Sequence, residues 1–476
     1  MKKIYPLFAA RWKVPACIFI EFIFILCIFV TVFPNSGSAE DWRQFRGENR
    51  DGKAEAIPIS SNWYKKPPKF LKTIDGAGQG FASLCVVNGT IYTTGNSDVD
   101  QFVVAIQMST GNVIWRQTIV PVIPNHDYLG SRSTPTYDPK TDRLFVVGSD
   151  GRLVCLDAKL TLKPNANQNG RILWQKQFQK EWNGRLMSGW GFSESPLVDG
   201  DQVIVTPGGR QALIVALKTV GKKDKDSGIE TATEIWRCKP DSAEQPLKNF
   251  RRENLRYGAS YSSMIIANLH GVRQYVQVTG DRIVSVDPDS GKIFWENSLS
   301  VNRIANVCSP VQIGDNKIFY SSAHNGGSTL LDIQIRRKDE DVSFETELIK
   351  TWRSQQMQCH HGGIIVDGDH AYLGNGMNRG FPMCVDLTSG KINWGGKLRG
   401  AGIGSAALIY CDGKIIFRYQ DGTVALVEAN PNRYNLLGKF MQNAKSSNRS
   451  WAHPVISNGK LLLREDDKIM IYDIAR

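Results

Sequence analysis

The sequence predicts an all-β protein, an eight-bladed β-propeller of four-stranded antiparallel blades with its ring closed by an N-terminal strand. Three observations carry this expectation. A pattern of strand, Thr/Ser-Gly turn and strand ending in tryptophan recurs at Trp115, Trp174, Trp236, Trp295, Trp352 and Trp394. The strands between turns alternate or are fully apolar, and no segment shows helical periodicity. The last unit, from His453 onward, lacks its tryptophan-bearing strand, while a spare run, Trp63 to Ile74, precedes the first complete unit.

The elements follow in order. Residues 1–39 read as an export segment: Lys2, Lys3, Arg11 and Lys13 precede an apolar stretch from Val14 to Phe33, then small residues through Ala39. A signal peptide cut after Ala39 is favoured over an N-terminal membrane anchor, because Pro15 and Glu21 interrupt the apolar stretch. In both readings the rest of the chain is exported, to the periplasm, the extracellular space or the envelope, and an uncleaved leader is its only membrane contact. Residues 40–62 form an N-terminal arm that packs on the propeller. Residues 63–476 form the propeller, with about 52 residues per unit, the size of a four-stranded blade.

The clearest unit runs Ile283-Val284-Ser285-Val286-Asp287, then Ser290-Gly291-Lys292-Ile293-Phe294-Trp295. A seventh unit, Tyr410 to Phe440, ends in Phe440 instead of tryptophan. A strand donated from the N-terminal side would complete the eighth and leave the ring without an open edge. One large ring per unit at a fixed place suits wedging between adjacent sheets. Polar insertions at Lys159–Gly170, Lys218–Thr233, Arg237–Asn254 and Arg336–Glu347 read as surface loops.

Composition sets outer bounds. With 58 Lys+Arg against 46 Asp+Glu and 41% hydrophobic residues, the chain can build a large core and is not a disordered one. The net charge of +12 is spread along the chain, so no nucleic acid partner is expected. Seven cysteines follow the leader, too few for a disulfide scaffold. Cys155 and Cys384 sit where other units carry apolar residues and read as buried small hydrophobes.

Val286–Trp295 and Val385–Trp394, with Ser195-Pro196 and Ser309-Pro310 ahead of first strands, resemble the pyrroloquinoline-quinone-like repeat propellers. That superfamily includes the quinoprotein alcohol dehydrogenases and the BamB-type outer-membrane assembly proteins. The resemblance implies the fold over nearly all the exported chain, and for function it implies little. A dehydrogenase of this kind would use pyrroloquinoline quinone with calcium. Its adjacent-cysteine pair is missing here, and its Glu, Asn and Asp calcium set cannot be placed. A BamB-type member would carry a lipoprotein signal, and Cys17 lacks that context.

The segments that lead into first strands should meet at the mouth of the central channel. They supply Tyr128 and Arg132; Arg185, Trp190 and Glu194; Arg256 and Tyr261; Arg303; Arg353, His360 and His361; Arg399; and Arg449, Trp451 and His453. Converging guanidinium groups suit a carboxylate, phosphate or sulfate, and neighbouring aromatic rings suit a sugar or flat ring. Cys359-His360-His361 is not a metal site on this reading, since adjacent residues of an extended chain face opposite ways. No residue is assigned a catalytic role. The expectation is a monomeric, non-catalytic binding or scaffolding protein of the cell envelope, with a protein partner or an anionic or carbohydrate ligand at the mouth. The alternatives are a quinoprotein dehydrogenase acting on an alcohol or sugar, and a carbohydrate-binding propeller.

Overall fold

A computed structural model describes residues 41–124, 127–159, 169–240, 258–334, 336–338, 341–343 and 352–475, with backbone alone between 336 and 353. The leader and the cut after Ala39 lie outside these residues, as do Arg256 and most of Arg237–Asn254.

Eight four-stranded antiparallel sheets form a ring. Blade 1 is Cys85–Val87, Thr90–Asn96, Gln101–Gln107 and Val113–Val120. Blade 2 is Thr136–Asp138, Arg143–Val147, Arg152–Asp157 and Arg171–Gln177. Blade 3 comprises Leu197–Asp199, Gln202–Val205, Ile214–Lys218 and Glu234–Cys238, and blade 4 Ile265–Leu269, Val272–Val278, Ile283–Val286 and Ile293–Asn297. Blade 5 comprises Val311–Ile313, Lys317–Ser322, Gly327–Asp332 and Trp352–Ser354, and blade 6 Ile364–Asp367, His370–Asn375, Phe381–Asp386 and Ile392–Gly395. Blade 7 is Ala406–Cys411, Lys414–Tyr419, Thr423–Glu428 and Leu436–Met441. Blade 8 takes Val455–Ser457, Lys460–Glu465 and Lys468–Asp473 from the C-terminal end, and its fourth strand is Lys69–Ile74.

That fourth strand pairs antiparallel with the third, Thr73 opposite Met470 and Ile74 opposite Ile469. The ring therefore closes as the sequence predicts. Middle strands such as Arg143–Val147 are buried along their whole length, because each sheet is covered on both faces by its neighbours. Outer strands such as Lys69–Ile74 are half exposed.

The tryptophans recur for a geometric reason. On the third strand, each faces a small residue: Ala105 opposite Trp115, Cys155 opposite Trp174, Ala216 opposite Trp236, Ser285 opposite Trp295 and Cys384 opposite Trp394. A register shift follows at once in each of these blades, a bulge that turns the outer strand. In blades 3 and 6 the indole reaches the following blade, whereas Trp295 Nε1 of blade 4 donates to Gln274 of its own blade at 2.7 Å. Trp236 Nε1 donates to the Pro288 carbonyl at 2.8 Å, and Trp394 Nε1 to that of Asn430 at 2.8 Å. All seven cysteines of the described residues are buried, and Cys155 and Cys384 serve as the small partners of these rings.

Hydroxyl groups stitch the inner rim. Ser83 N–H donates to Thr134 Oγ1 (2.9 Å), Thr134 N–H to Ser195 Oγ (3.0 Å) and Ser195 N–H to Ser263 Oγ (3.0 Å). Ser309 Oγ donates to the Ser263 carbonyl (2.7 Å), and Ser83 Oγ closes back on the His453 carbonyl at 2.8 Å. The Ser-Pro pairs thus bridge neighbouring blades at the axis.

Two insertions differ from the loop expectation. Lys222–Lys223 pairs with Glu230–Thr231, and Arg336–Lys338 with Asp341–Ser343. In the first, Asp224 Oδ1 accepts from the N–H groups of Asp226 and Ser227, which makes the turn. Buried Glu230 anchors the hairpin to Arg143 of blade 2, with Arg143 Nη2 donating at 3.0 Å.

Candidate functional site

The arm decides the shape of the channel. Trp42 exchanges backbone hydrogen bonds with Val86 of blade 1, and the Arg43 carbonyl accepts from Tyr137 N–H of blade 2. Arg50 donates to the carbonyls of Ser195 (2.6 Å) and Pro196 (2.9 Å) beside blade 3. Arg46 Nη2 donates to the Ile364 carbonyl of blade 6 at 2.6 Å. Gly52 and Ala54 pair with Tyr410 of blade 7. One short segment therefore touches first strands around the ring and crosses the channel. At Gly52 (φ +79°) an added Cβ would lie 2.8 Å from Arg46 Nη2 and 2.9 Å from Ile365 Cδ1, so the close crossing needs glycine.

On this plug rests a cavity of about 250 Å³. Of the residues expected at the mouth, it gathers Arg132, Trp190, Tyr261, His360, His361, Arg449, Trp451 and His453. Tyr128 and the Ser195, Ser263 and Ser309 rim also line it. Arg185, Arg303 and Arg399 are exposed and are not among its lining residues. Arg353 falls within the fourth strand of blade 5 and not in a linking segment. Glu194 is buried between blades 3 and 4, where it accepts from Thr206 N–H (2.7 Å), Thr206 Oγ1 (2.8 Å) and Gln277 Nε2 (2.8 Å). Burial outweighs those bonds and pushes its carboxyl up to about 7.

Sequence reasoning missed Phe45 and Arg46 of the arm, Phe81, His324 and Asn378. His324 and Asn378 stand in hairpins between second and third strands, which share the mouth with the linking segments. No local signal told that the arm enters the ring. Its paired Trp42 and Phe45 marked it only as a packing segment.

One wall is aromatic. Trp451 contacts Phe81 (ring centroids 5.3 Å apart), Tyr128 (5.4 Å) and His361 (4.2 Å), and its Nε1 donates to Gln420 Oε1 at 2.8 Å. Arg449 stacks over Tyr128 at 4.9 Å and Trp451 at 5.2 Å. Arg132 caps loop carbonyls, donating to Tyr128 (2.5 Å) and Trp190 (2.8 Å), and also lies over Phe81 at 5.6 Å.

The imidazoles are neutral at neutral pH. Burial, aided by Arg46, holds His453 down at about 3; burial, aided by His324, holds His360 at about 3; burial and His360 hold His361 well below its ordinary value. His453 Nε2 lies 2.8 Å from the His361 carbonyl, which can only accept. The proton of neutral His453 is therefore on Nε2, and its Nδ1 is a bare acceptor.

Three polar atoms of the lining have no hydrogen-bond partner among the described residues: Arg46 Nη1, His361 Nδ1 and His453 Nδ1. Arg46 is 3% exposed. Burial lowers its pKa from the usual arginine value, and the nearby Asp51 opposes this. Three guanidinium groups line the cavity, and no aspartate or glutamate does among the described residues. Nor is any group of three His, Cys, Asp or Glu there arranged to hold a metal ion. Calcium takes carboxylate and carbonyl oxygens, so this donor set does not fit a calcium-held quinone.

Comparison places these features among known proteins. A family model described as outer membrane protein assembly factor BamB matches residues 99–395. Among curated proteins, none matches the chain. The solved BamB from Moraxella catarrhalis is similar in fold at 11% identity and TM-score 0.53, covering 85% of this chain and 99% of that one. Quinohemoprotein alcohol dehydrogenase from Comamonas testosteroni is similar at 14% identity and TM-score 0.59, covering 92% and 81%. A europium-containing methanol dehydrogenase is similar at 12% identity and TM-score 0.56, covering 89% of each chain. These identities speak to fold alone.

Proposed function

Because the chain belongs to the PQQ-like repeat propeller family described as outer membrane protein assembly factor BamB, we propose that it is a non-catalytic binding protein of the cell envelope, and that its plugged channel holds an anionic ligand. One observation carries this reading. Arg46, Arg132 and Arg449 line one cavity with aromatic rings and neutral histidines, and no carboxylate of the described lining offsets their charge. Export rests on the basic and apolar leader. No helix among the described residues is long and apolar enough to cross a membrane.

The test is a thermal-shift and calorimetric screen of the purified protein against small carboxylates, phosphate and sulfate, with uncharged analogues as controls. Saturable anion binding that weakens with salt supports the reading. Equal response to charged and uncharged analogues sinks it. Pyrroloquinoline quinone with calcium, an alcohol and a redox dye form the parallel arm, and dye reduction with turnover would instead support the dehydrogenase.

A protein partner over the same mouth is the second reading. Val122 (77% exposed), Ile403 (76%), Tyr128, Leu129, Ile304 and Leu398 all stand exposed in segments that lead into first strands. Apolar side chains gathered on one face of a protein mark docking sites more often than they occur by chance.

A further inference from the structure

We propose that the floor of the cavity selects a hydroxylated carboxylate of single-sugar size, a sugar acid, with Arg46 reading the carboxylate and His453 an adjacent hydroxyl. This deepens the anionic-ligand reading and rests on it. The two groups converge at one point. Gly363 lines the cavity with φ +73°, and a Cβ built there would lie 1.8 Å from Arg46 Nη1 and 3.2 Å from His453 Cε1. Glycine leaves that space to the guanidinium, which fills the place a side chain would take.

The two groups differ in chemistry. Arg46 Nη2 is spent on the carbonyls of Asp51 (2.7 Å) and Ile364 (2.6 Å), while Nη1 donates to nothing. His453 spends its one proton on the His361 carbonyl, so the free Nδ1 accepts. A cation-borne donor beside a bare acceptor matches a ligand that offers an anionic acceptor beside a donor. A simple carboxylate satisfies only the first, and a neutral sugar only the second. Leaving either buried group unpaired is costly, so discrimination should be strong.

The walls agree with a sugar-sized occupant. Trp451, Phe81 and Tyr128 offer faces to the C–H side of a sugar ring. The cavity they help line holds about 250 Å³, just below the usual range of ligand pockets, which suits one sugar and excludes a chain of them.

The probes are D-glucuronate, D-glucose and propionate, titrated calorimetrically into the purified protein at pH 7 and low salt. Glucuronate should bind at least about tenfold tighter than either control. His453→Phe keeps a ring against Phe45 and should erase the preference for glucuronate over propionate. Arg46→Lys should weaken both acids. Should the lysine variant fail to fold, the comparison of three ligands on the unaltered protein still decides. Propionate binding as tightly as glucuronate would overturn this proposal and leave the anionic cavity standing. If neither acid binds, this proposal falls, and the phosphate and sulfate arms of the anion screen decide the anionic reading.

Discussion

Arg46 Nη2 stands 2.6 Å from the main-chain oxygen of Ile364, a bond across 318 residues that ties the N-terminal arm to the first strand of blade 6. The same nitrogen holds the Asp51 carbonyl at 2.7 Å, so one side chain shapes the arm and seats it. Truncation to alanine strands two carbonyl acceptors, each worth about 1–3 kcal/mol when left unpaired. Arg46→Ala should therefore lower stability by about 2–4 kcal/mol. Removing a charge whose burial is itself unfavourable offsets part of the loss. Urea unfolding followed by tryptophan fluorescence measures this. A change under about 0.5 kcal/mol, within the range of ordinary surface substitutions, would show that the arm is not fixed by this residue.

Gly291 and Gly89 make a matched pair. Both have positive φ in turns, +70° and +73°, so each substitution by alanine carries the same backbone penalty of about 1 kcal/mol. A Cβ at Gly89 meets nothing within 4 Å, whereas at Gly291 it would sit 2.4 Å from Trp236 Cε3. Trp236 cannot retreat, because its Nε1 is held by the Pro288 carbonyl at 2.8 Å. Gly291→Ala should cost at least about 1–3 kcal/mol more than Gly89→Ala. Equal melting temperatures for the two variants would refute the wedge between blades.

The thiols supply a chemical readout. All seven cysteines of the described residues are buried, and burial pushes Cys238 and Cys384 up to about 12. A thiol held in that form is a poor nucleophile. Ellman's reagent should label none of the seven in the native protein comprising residues 40–476 within minutes and all seven in denaturant. Cys384→Ala should be tolerated within about 1.5 kcal/mol because only a small residue fits opposite Trp394. Cys384→Leu should overpack that site and cost more.

The ring was legible because its signals are local and repeated. Ser285 before the turn and Trp295 after it recur as small residue and tryptophan in blade after blade. The seam was legible because Trp63 to Ile74 was left over where Lys468–Asp473 lacked a partner. The mouth was legible in part. The linking segments gave Arg132, Arg449 and Trp451, since position before a first strand fixes nearness to the axis. Arg185, Arg303 and Arg399 share that position yet face solvent, because chain placement does not set side-chain direction. The floor was hidden altogether. Arg46 comes to Gly363 through a crossing of the channel, a long-range contact with no local pattern to announce it.

Acid stability follows from the buried titrating groups. His360 and His453 titrate near 6.5 when unfolded and at about 3 when folded, chiefly through burial. Between those values the unfolded chain binds protons that the native protein refuses, so stability is complete above about pH 7 and is lost as pH falls. At pH 5 each should cost about 2 kcal/mol, and His361 acts in the same direction. Glu194 opposes them. Its carboxyl is raised by burial to about 7, so between about 4.5 and 7 the native protein holds a proton that the unfolded chain has shed. Its contribution is full at low pH and disappears as pH rises through 7. Acidification from pH 7.5 to 5 therefore sets the histidines against one carboxyl, and the histidines win. Glu194→Gln removes the opposing group, so the variant should lose about 2 kcal/mol more than the unaltered protein over the same interval. Denaturation curves at pH 7.5, 6 and 5 for both proteins test this. Parallel pH profiles would mean that Glu194 is ionised throughout, held as carboxylate by Thr206 and Gln277.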